Sequence, residues 1–342
     1  MSDREQRGLR GPVKSCTEDH TYPGGIDVDG KMHLEVHTQH TTEYDEEGRI
    51  SVIAHSNSDG SKWIQYFSYD SSGRLLKTAS GVEGQMKQTS YLYDHVGRLQ
   101  SIRDVSKADA TTTFNYDEHG RKTKIEICRP EDYRPNVAVA GSPFEAADRA
   151  PNILGGGTAT TTYDEHDRAT EVKIRNAEGE LISRAIRTYD AEGRVAEEHQ
   201  ILDRVETLIP AEHRAKMMEE SGLSANDLVQ ELRAQLTKLM SGESGPHTVS
   251  YRYDAQGRLI HTSRRIFNHQ DEIETTYNEH GDIESEIERS TRSEGSTSFS
   301  EVRHSYTYDQ HGNWTEKTSS HRSSPDAEFQ LLPLLKRKLE YY

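Results

Sequence analysis

Aromatic and β-branched residues alternate with polar ones along this chain in short runs, each broken by an Asp- or Gly-containing turn. Trp63-Ile64-Gln65-Tyr66-Phe67-Ser68-Tyr69, Thr89-Ser90-Tyr91-Leu92-Tyr93 and Thr112-Thr113-Phe114-Asn115-Tyr116 are examples, and such runs read as strands. Many end in one phrase, Tyr-Asp-x-x-Gly-Arg followed by an apolar residue. The cleanest copies start at Tyr44, Tyr69, Tyr93, Tyr189 and Tyr253, and weaker ones at Tyr116, Tyr163, Tyr277 and Tyr308. Asp-x-x-Gly is a turn signal, because the carboxylate accepts from nearby backbone N–H groups and glycine takes the left-handed conformation. The predicted turn pairs are Asp45 with Gly48, Asp70 with Gly73, Asp94 with Gly97, Asp117 with Gly120, Asp190 with Gly193, Asp254 with Gly257 and Asp309 with Gly312.

A second turn falls about midway between these, as in Asn57-Ser58-Asp59-Gly60, Val82-Glu83-Gly84, Asn176-Ala177-Glu178-Gly179 and Ser293-Glu294-Gly295. Regular copies start 23 to 26 residues apart, the length of two strands and two turns. Each repeat is therefore a β-hairpin. Stacked hairpins predict an all-β fold of about 18–20 antiparallel strands in one curled or barrel-like sheet. The tyrosine of each phrase shares a strand face with the residue two before it: Phe67, Tyr91, Phe114, Tyr251 or Tyr306. That predicts an aromatic ladder, structural or ligand-facing, which includes Tyr69, Tyr91, Tyr93, Tyr116, Tyr251, Tyr253, Tyr306 and Tyr308, with ring meeting ring across strands. Arg49, Arg74, Arg98, Arg194 and Arg258 are placed to stack on the rings, to pair with the turn Asp, or to stay solvated.

Tyr-Asp-x-x-Gly-Arg-Leu at this spacing resembles the YD repeat of bacterial RHS-type proteins, shared with toxin-complex shells and teneurins. The resemblance covers roughly residues 26–342 and implies a spiralling sheet around a cavity. The ending Arg337-Lys338-Leu339-Glu340-Tyr341-Tyr342 is similar to that of small stand-alone bacterial members, whose role is generally unassigned. Large RHS toxins carry an aspartate-containing cleavage motif and a toxin domain, and nothing after Trp314 matches either. Gly-Arg is replaced by Asp167-Arg168, Gly281-Asp282 and Gly312-Asn313 in three copies. The resemblance supports the fold and does not extend to toxicity.

Composition agrees with a single-layer sheet. Only 32% of residues are hydrophobic and the mean hydropathy is −0.92, poor for a thick core but adequate where one sheet face stays wet. A net charge of −16 argues against nucleic acid and anionic membrane as partners. No apolar run spans a membrane, and Met1 to Arg7 lacks the apolar stretch of a secretory signal, so the cytoplasm is the default compartment, with export by another route left open. Cys16 and Cys128 allow one bridge but no framework.

The expected organisation is a lead-in over 1–25 and one β domain over 26–342, interrupted twice. Residues 129–158 carry four prolines and a Gly triplet and read as an irregular loop. Residues 206–241 read as helical: Gly222 ends one helix, Ser224 caps a second with Asp227 in its first turn, and Leu228, Leu232, Leu236 and Leu239 follow at helical spacing. That stripe is expected to plug the concave face. About 19 strands at ~4.8 Å make a barrel ~38 Å across with a lumen of ~25 Å, against ~33 Å for a 100-residue globule. A helical hairpin fits; a toxin domain does not.

No catalytic residues, cofactor or metal site are assigned. His95, His119, His166, His280 and His311 sit at turn tips about 10 Å apart, too far to share an ion. No Ser/His/Asp or Cys/His set is legible. The first functional reading is a non-enzymatic binding or scaffold protein for carbohydrate or a cell-surface partner, through the ladder or the 129–157 loop. The second is a toxin- or secretion-system component, a reduced shell for a separate effector. The third is an enzyme with a site between the two insertions.

Overall fold

A computed structural model describes residues 1–22, 36–57, 59–82, 84–105, 110–128, 156–177, 179–202, 247–266, 269–292 and 295–342, with 218, 219, 222, 224, 227 and 230 between. The expected irregular loop lies outside the described residues except for its last positions, and so does most of the expected helical insertion. Where that insertion is described, Gly222 N–H donates to the Met218 carbonyl at 2.9 Å and Asp227 N–H to Ser224 Oγ at 3.2 Å, the helix-end and helix-start geometry expected there.

A short helix, α1 (Asp3–Gln6), opens the chain behind a Ser2–Glu5 capping box. The strands follow in order: β1 (Val13–Tyr22), β2 (Val36–Tyr44), β3 (Ile50–Ser56), β4 (Lys62–Tyr69), β5 (Leu75–Val82), β6 (Gln85–Tyr93), β7 (Leu99–Asp104), β8 (Thr111–Tyr116), β9 (Lys122–Cys128), β10 (Gly157–Tyr163) and β11 (Ala169–Asn176). Then come β12 (Leu181–Tyr189), β13 (Val195–Leu202), β14 (His247–Tyr253), β15 (Leu259–Ile266), β16 (His269–Tyr277), β17 (Ile283–Thr291), β18 (Thr297–Tyr308), β19 (Trp314–Arg322), β20 (Gln330–Leu331) and β21 (Leu335–Tyr341).

Each strand from β1 to β19 pairs antiparallel with the next, including across both interruptions, β9 with β10 and β13 with β14. β19 pairs with β21, and β21 pairs with β1, Cys16 facing Leu339 and Glu18 facing Arg337. The meander therefore closes. Leaving out the two-residue β20, the ring holds twenty strands. Residues 1–25, expected to lead into the array, instead supply the strand that closes it. Closure removes the exposed edges that make open sheets aggregate.

Every phrase sits at a hairpin whose tyrosine faces the residue just after the turn, apolar in all copies but one: Tyr69 faces Leu75 and Tyr93 faces Leu99, while Tyr116 faces Lys122. The register shifts by one residue just before that tyrosine, a bulge that sharpens the local twist. The turn glycines are left-handed, Gly73 at φ 81°, and Asp167, standing where the phrase has glycine, takes φ 61°.

Following the register around the ring puts Thr42, Thr78, Phe114, Ile125, Ala159, Val172, Ala185, Glu198, Val249 and Ser319 on one face, all buried. Side chains on the inside of a closed sheet converge, so this face lines the lumen. The opposite face carries Asp19, Glu43, Lys77, Arg103, Lys124, Glu171, Lys173 and Arg184. A band of that composition faces water, unlike the apolar outer band of a membrane barrel. Both cysteines are free, Cys16 buried and Cys128 exposed.

Deleting residues 335–342 unpairs β1 and β19 and creates two free edges. We expect that variant to self-associate in sedimentation velocity relative to the full chain. A truncated chain with unchanged sedimentation and unchanged Tm contradicts closure through β21.

Candidate functional site: the ladder and the inner wall

The turn that ends β6 shows how each phrase is built. Asp94 N–H donates to the Arg98 carbonyl at 2.9 Å, and Gly97 N–H to the Asp94 carbonyl at 3.0 Å. Asp94 Oδ1 accepts from the backbone N–H groups of Val96 at 3.0 Å and Arg98 at 2.8 Å, while Oδ2 accepts from Arg98 Nε at 2.7 Å. The carboxylate is fully engaged inside the turn. At Asp70 the same arrangement, led by the Arg74 backbone N–H and opposed by burial, holds the carboxyl below its ordinary range.

Held this way, the Arg98 guanidinium lies over the Tyr116 ring of the next copy, 4.7 Å from its centre. Tyr116 Oη reaches back and donates to the Leu99 carbonyl at 2.8 Å. The pattern repeats with Arg49 on Tyr69, Arg74 on Tyr93, Arg121 on Tyr163, Arg168 on Tyr189, Arg194 on Tyr253 and Arg258 on Tyr277, at 4.7 to 5.1 Å. Tyr69, Tyr93 and Tyr253 each donate their hydroxyl to a backbone carbonyl of the preceding copy. The expected ring-on-ring ladder is therefore corrected for the intact copies, while rings do meet at the end of the array, Tyr306 lying 6.0 Å from Tyr308. Successive copies are two strands apart, about 10 Å, beyond the 4.5–7 Å of aromatic pairs. A guanidinium fills that gap. The glycine makes room for it: a Cβ on Gly73 would stand 3.0 Å from Arg49 Nη1, and on Gly97 3.2 Å from Arg74 Nη1.

Where the arginine is missing, other groups take its place. Asp282 accepts from Tyr308 Oη at 2.8 Å, and His280 stacks on the Tyr308 ring at 3.9 Å. His311 packs on Tyr341 at 4.5 Å, and Tyr341 donates to Asp309. Arg10 donates to the Gly312 carbonyl at 2.5 Å and the His280 carbonyl at 2.7 Å, while its backbone N–H meets Asn313 Oδ1 at 2.7 Å. Tyr342 donates to the Tyr44 carbonyl and joins the last copy to the first. Two of the histidines read as exposed tips are thus stacking groups at the end of the array. The contacts of Arg10, Asn313 and Tyr341 escaped sequence reading because none of the three lies in an intact phrase.

The ladder rings are covered on one face and tethered by their hydroxyls, so they form a frame rather than a free stacking surface. Tyr91, Tyr251 and Tyr306 lie on the inner wall; Tyr306 donates to the Ile283 carbonyl at 2.7 Å and contacts Trp314 at 6.2 Å. The exposed aromatic of this region is Tyr66, on the outer wall at 48% exposure.

The inner wall divides into two sectors. From β7 to β12 it is apolar: Phe114, Ile125, Ile127, Ala159, Val172 and Ala185 form one cluster with Ile102 and Ile174 against it. A second, smaller apolar cluster of Leu9, Val13, Cys16 and Tyr44, with Ile50, Leu339 and Tyr341 against it, lies at the closure of the ring. Between the two clusters many inner positions are polar and self-paired. Glu198, 1% exposed, accepts from Arg187 Nε at 2.9 Å; His247 meets Gln200 at 2.8 Å; Ser290 donates to Asp271; Glu18 accepts from Arg337 Nε at 2.7 Å. His304, hydrogen-bonded to Ser319 at 2.8 Å, is pushed down to about 4 by burial and by Lys317. Among the described residues no group of three or more His, Cys, Asp or Glu is arranged to hold a metal ion, and no helix is long and apolar enough to cross a membrane. An open groove on the outer wall, lined by His199, Thr248, Ser250, Ser263, Arg265 and Gln270, brings no carboxylate or thiol together.

Residues 30–136 match the family model described as the teneurin YD-shell. Those residues match a YD-shell, and the Tyr-Asp phrase they carry recurs through the rest of the chain. No curated protein matches it. Among solved structures, a porin-like protein from Bacteroides uniformis aligns over 97% of this chain and 99% of its own at 11% identity with a TM-score of 0.34. MucB in complex with MucA aligns over 97% and 89% at 10% identity with a TM-score of 0.12. Superpositions that loose carry no argument about the YD-shell repeats or their use.

Two outcomes follow from this geometry. Tyr116→Phe should cost about 1 kcal/mol, one hydrogen bond to a partly buried carbonyl, and Arg98→Lys should lower Tm further, because lysine keeps the charge but loses the planar fork and the stacking. Equal melting of both variants and the parent would remove the clamp as a source of stability. His304 gives a pH signature. The unfolded chain protonates this ring at ~6.5 and the folded chain only at about 4, so stability falls as pH drops through that window. His304→Gln should flatten the denaturation midpoint between pH ~7 and ~5; an unchanged slope contradicts the assignment.

Proposed function

We propose that this chain is a non-enzymatic YD-repeat shell that binds a polar ligand, carbohydrate in the first place, on the ionisable sector of its inner wall. The observation that carries this reading is the division of labour between rim and wall. The Asp, Arg and Tyr of each phrase are consumed in the frame, while Trp63, His55 and Gln65 stand together on the inner face of β3 and β4. An aromatic ring beside amide and imidazole groups suits a sugar, which offers an apolar face to stack and hydroxyls to bond. The ladder itself, fully engaged, is set aside as the contact surface.

A second reading, a shell serving a separate effector, is favoured by the YD-shell match. A lumen of ~25 Å restricts such cargo to a short segment or helical hairpin. In either case the charged outer wall fits an aqueous compartment.

Trp63 and Trp314 are the two tryptophans of the chain, and Trp314 is stacked under Arg337 at 3.5 Å. Titration of the protein with a panel of soluble oligosaccharides should therefore give a saturable change in tryptophan emission that disappears in Trp63→Phe. Sugar binding that leaves the emission of both proteins unchanged would move the site off the inner wall. A blank panel would remove the carbohydrate reading and leave the effector shell.

A further inference from the structure

β1 closes the ring, and a belt of side chains crosses the closure on its inner face. Arg337 of β21 stacks on Trp314 and donates to Glu18 of β1. Two residues along, His20 packs on His40 of β2 with ring centres 4.9 Å apart, and its Nε2 lies 3.8 Å from Glu18 Oε2. His40 meets His55 of β3 edge to face at 4.3 Å, and their Nδ1 atoms are 2.6 Å apart. At that distance one nitrogen donates and the other accepts. A proton on both would point two N–H groups at each other, so the rings must part before each can be charged.

Among the described residues, little countercharge faces the pair. Facing this pair are Cys16, Glu18 and His20 from β1, Thr42 from β2, Ile53 from β3, Trp63 and Gln65 from β4, and Arg337 from β21. Glu18 is the carboxylate among them, and Arg337 already holds it. Among the described residues, the charged His40–His55 pair would meet a guanidinium and one carboxylate that the guanidinium already engages.

We propose that this histidine belt is an acid-sensitive latch: in acid, protonation puts like charges on touching rings, β1 to β3 separate on the inner face, and the ring opens at β1–β21 while the rest of the array stays paired. The sign follows from His40. Burial, then the neighbouring His55 and His20, hold its imidazole below the ordinary histidine value. The unfolded or opened chain takes the proton first, so the stabilisation is complete above that value and is lost as pH falls. The latch rests on ring closure and not on what the lumen binds, so a failed sugar titration leaves it standing.

Hydrogen–deuterium exchange of the full chain at pH 7.5 and 5.5, corrected for intrinsic rates, tests it. Peptides of β1, β2 and β21 should gain about tenfold or more in exchange at the lower pH, with no such local gain in β11 and β12. His40→Gln and His55→Phe should each abolish the local gain; if circular dichroism shows one of them unfolded at pH 7.5, the other carries the comparison. A gain spread evenly over all strands, or a local gain that survives the substitution in a folded variant, overturns the latch.

Discussion

Strand spacing sets the problem this sequence solves. Equivalent positions of successive hairpins stand two strands apart, about 10 Å, too far for one ladder tyrosine to stack directly on the next. A guanidinium tethered at both ends closes that distance. The turn aspartate fixes the arginine Nε, the next tyrosine supplies the face beneath it, and that tyrosine's hydroxyl returns to the backbone of the copy before. Each phrase therefore bonds forward and backward at once. The same four residue types, repeated, turn a row of hairpins into a continuous rim.

A rim that runs in a circle must end where it began, and the last copies are altered accordingly. Arginine gives way to Asp282 and Asn313, and the freed places are filled by His280, His311, Tyr341 and the incoming Arg10. The N-terminal strand then lies between the C-terminal strand and the first repeat. With its edges paired, a chain of mean hydropathy −0.92 can fold without a thick core. Its buried apolar residues form two clusters, one from β7 to β12 and a smaller one at the closure, and ionisable groups line much of the wall between them.

How much of this was legible in the sequence follows from what repeats. Nine copies of the phrase disclosed the hairpins, the turn chemistry and the single sheet, because each copy carries its own local signals. That the arginines pair with the turn aspartate and stack on rings was legible as two alternatives, and the structure makes both at once. That the ring belongs to the next copy was not, since that is set by spacing between strands, not along the chain. The strand Val13–Tyr22 was missed for a related reason: it holds few apolar residues and no phrase, and its C-terminal partner strand is distant in sequence. His280 and His311 looked like exposed turn tips, and their stacking depends on Tyr308 and Tyr341, each contributed by the end of a later strand. The polar inner wall was hidden because its members are scattered singly over many strands.

The central claim is that the ladder guanidiniums are immobilised between successive copies. Arginine Nε–H groups report this directly, since a free side chain exchanges its proton with water rapidly and a buried, hydrogen-bonded one does not. In a nitrogen-15 spectrum of the full chain, the Nε–H signals of Arg49, Arg74, Arg98, Arg121, Arg168, Arg194 and Arg258 should be resolved and protected from exchange with solvent. If those signals exchange as fast as the Nε–H of a solvent-exposed arginine, the clamp does not hold and the ring must be maintained by backbone pairing alone.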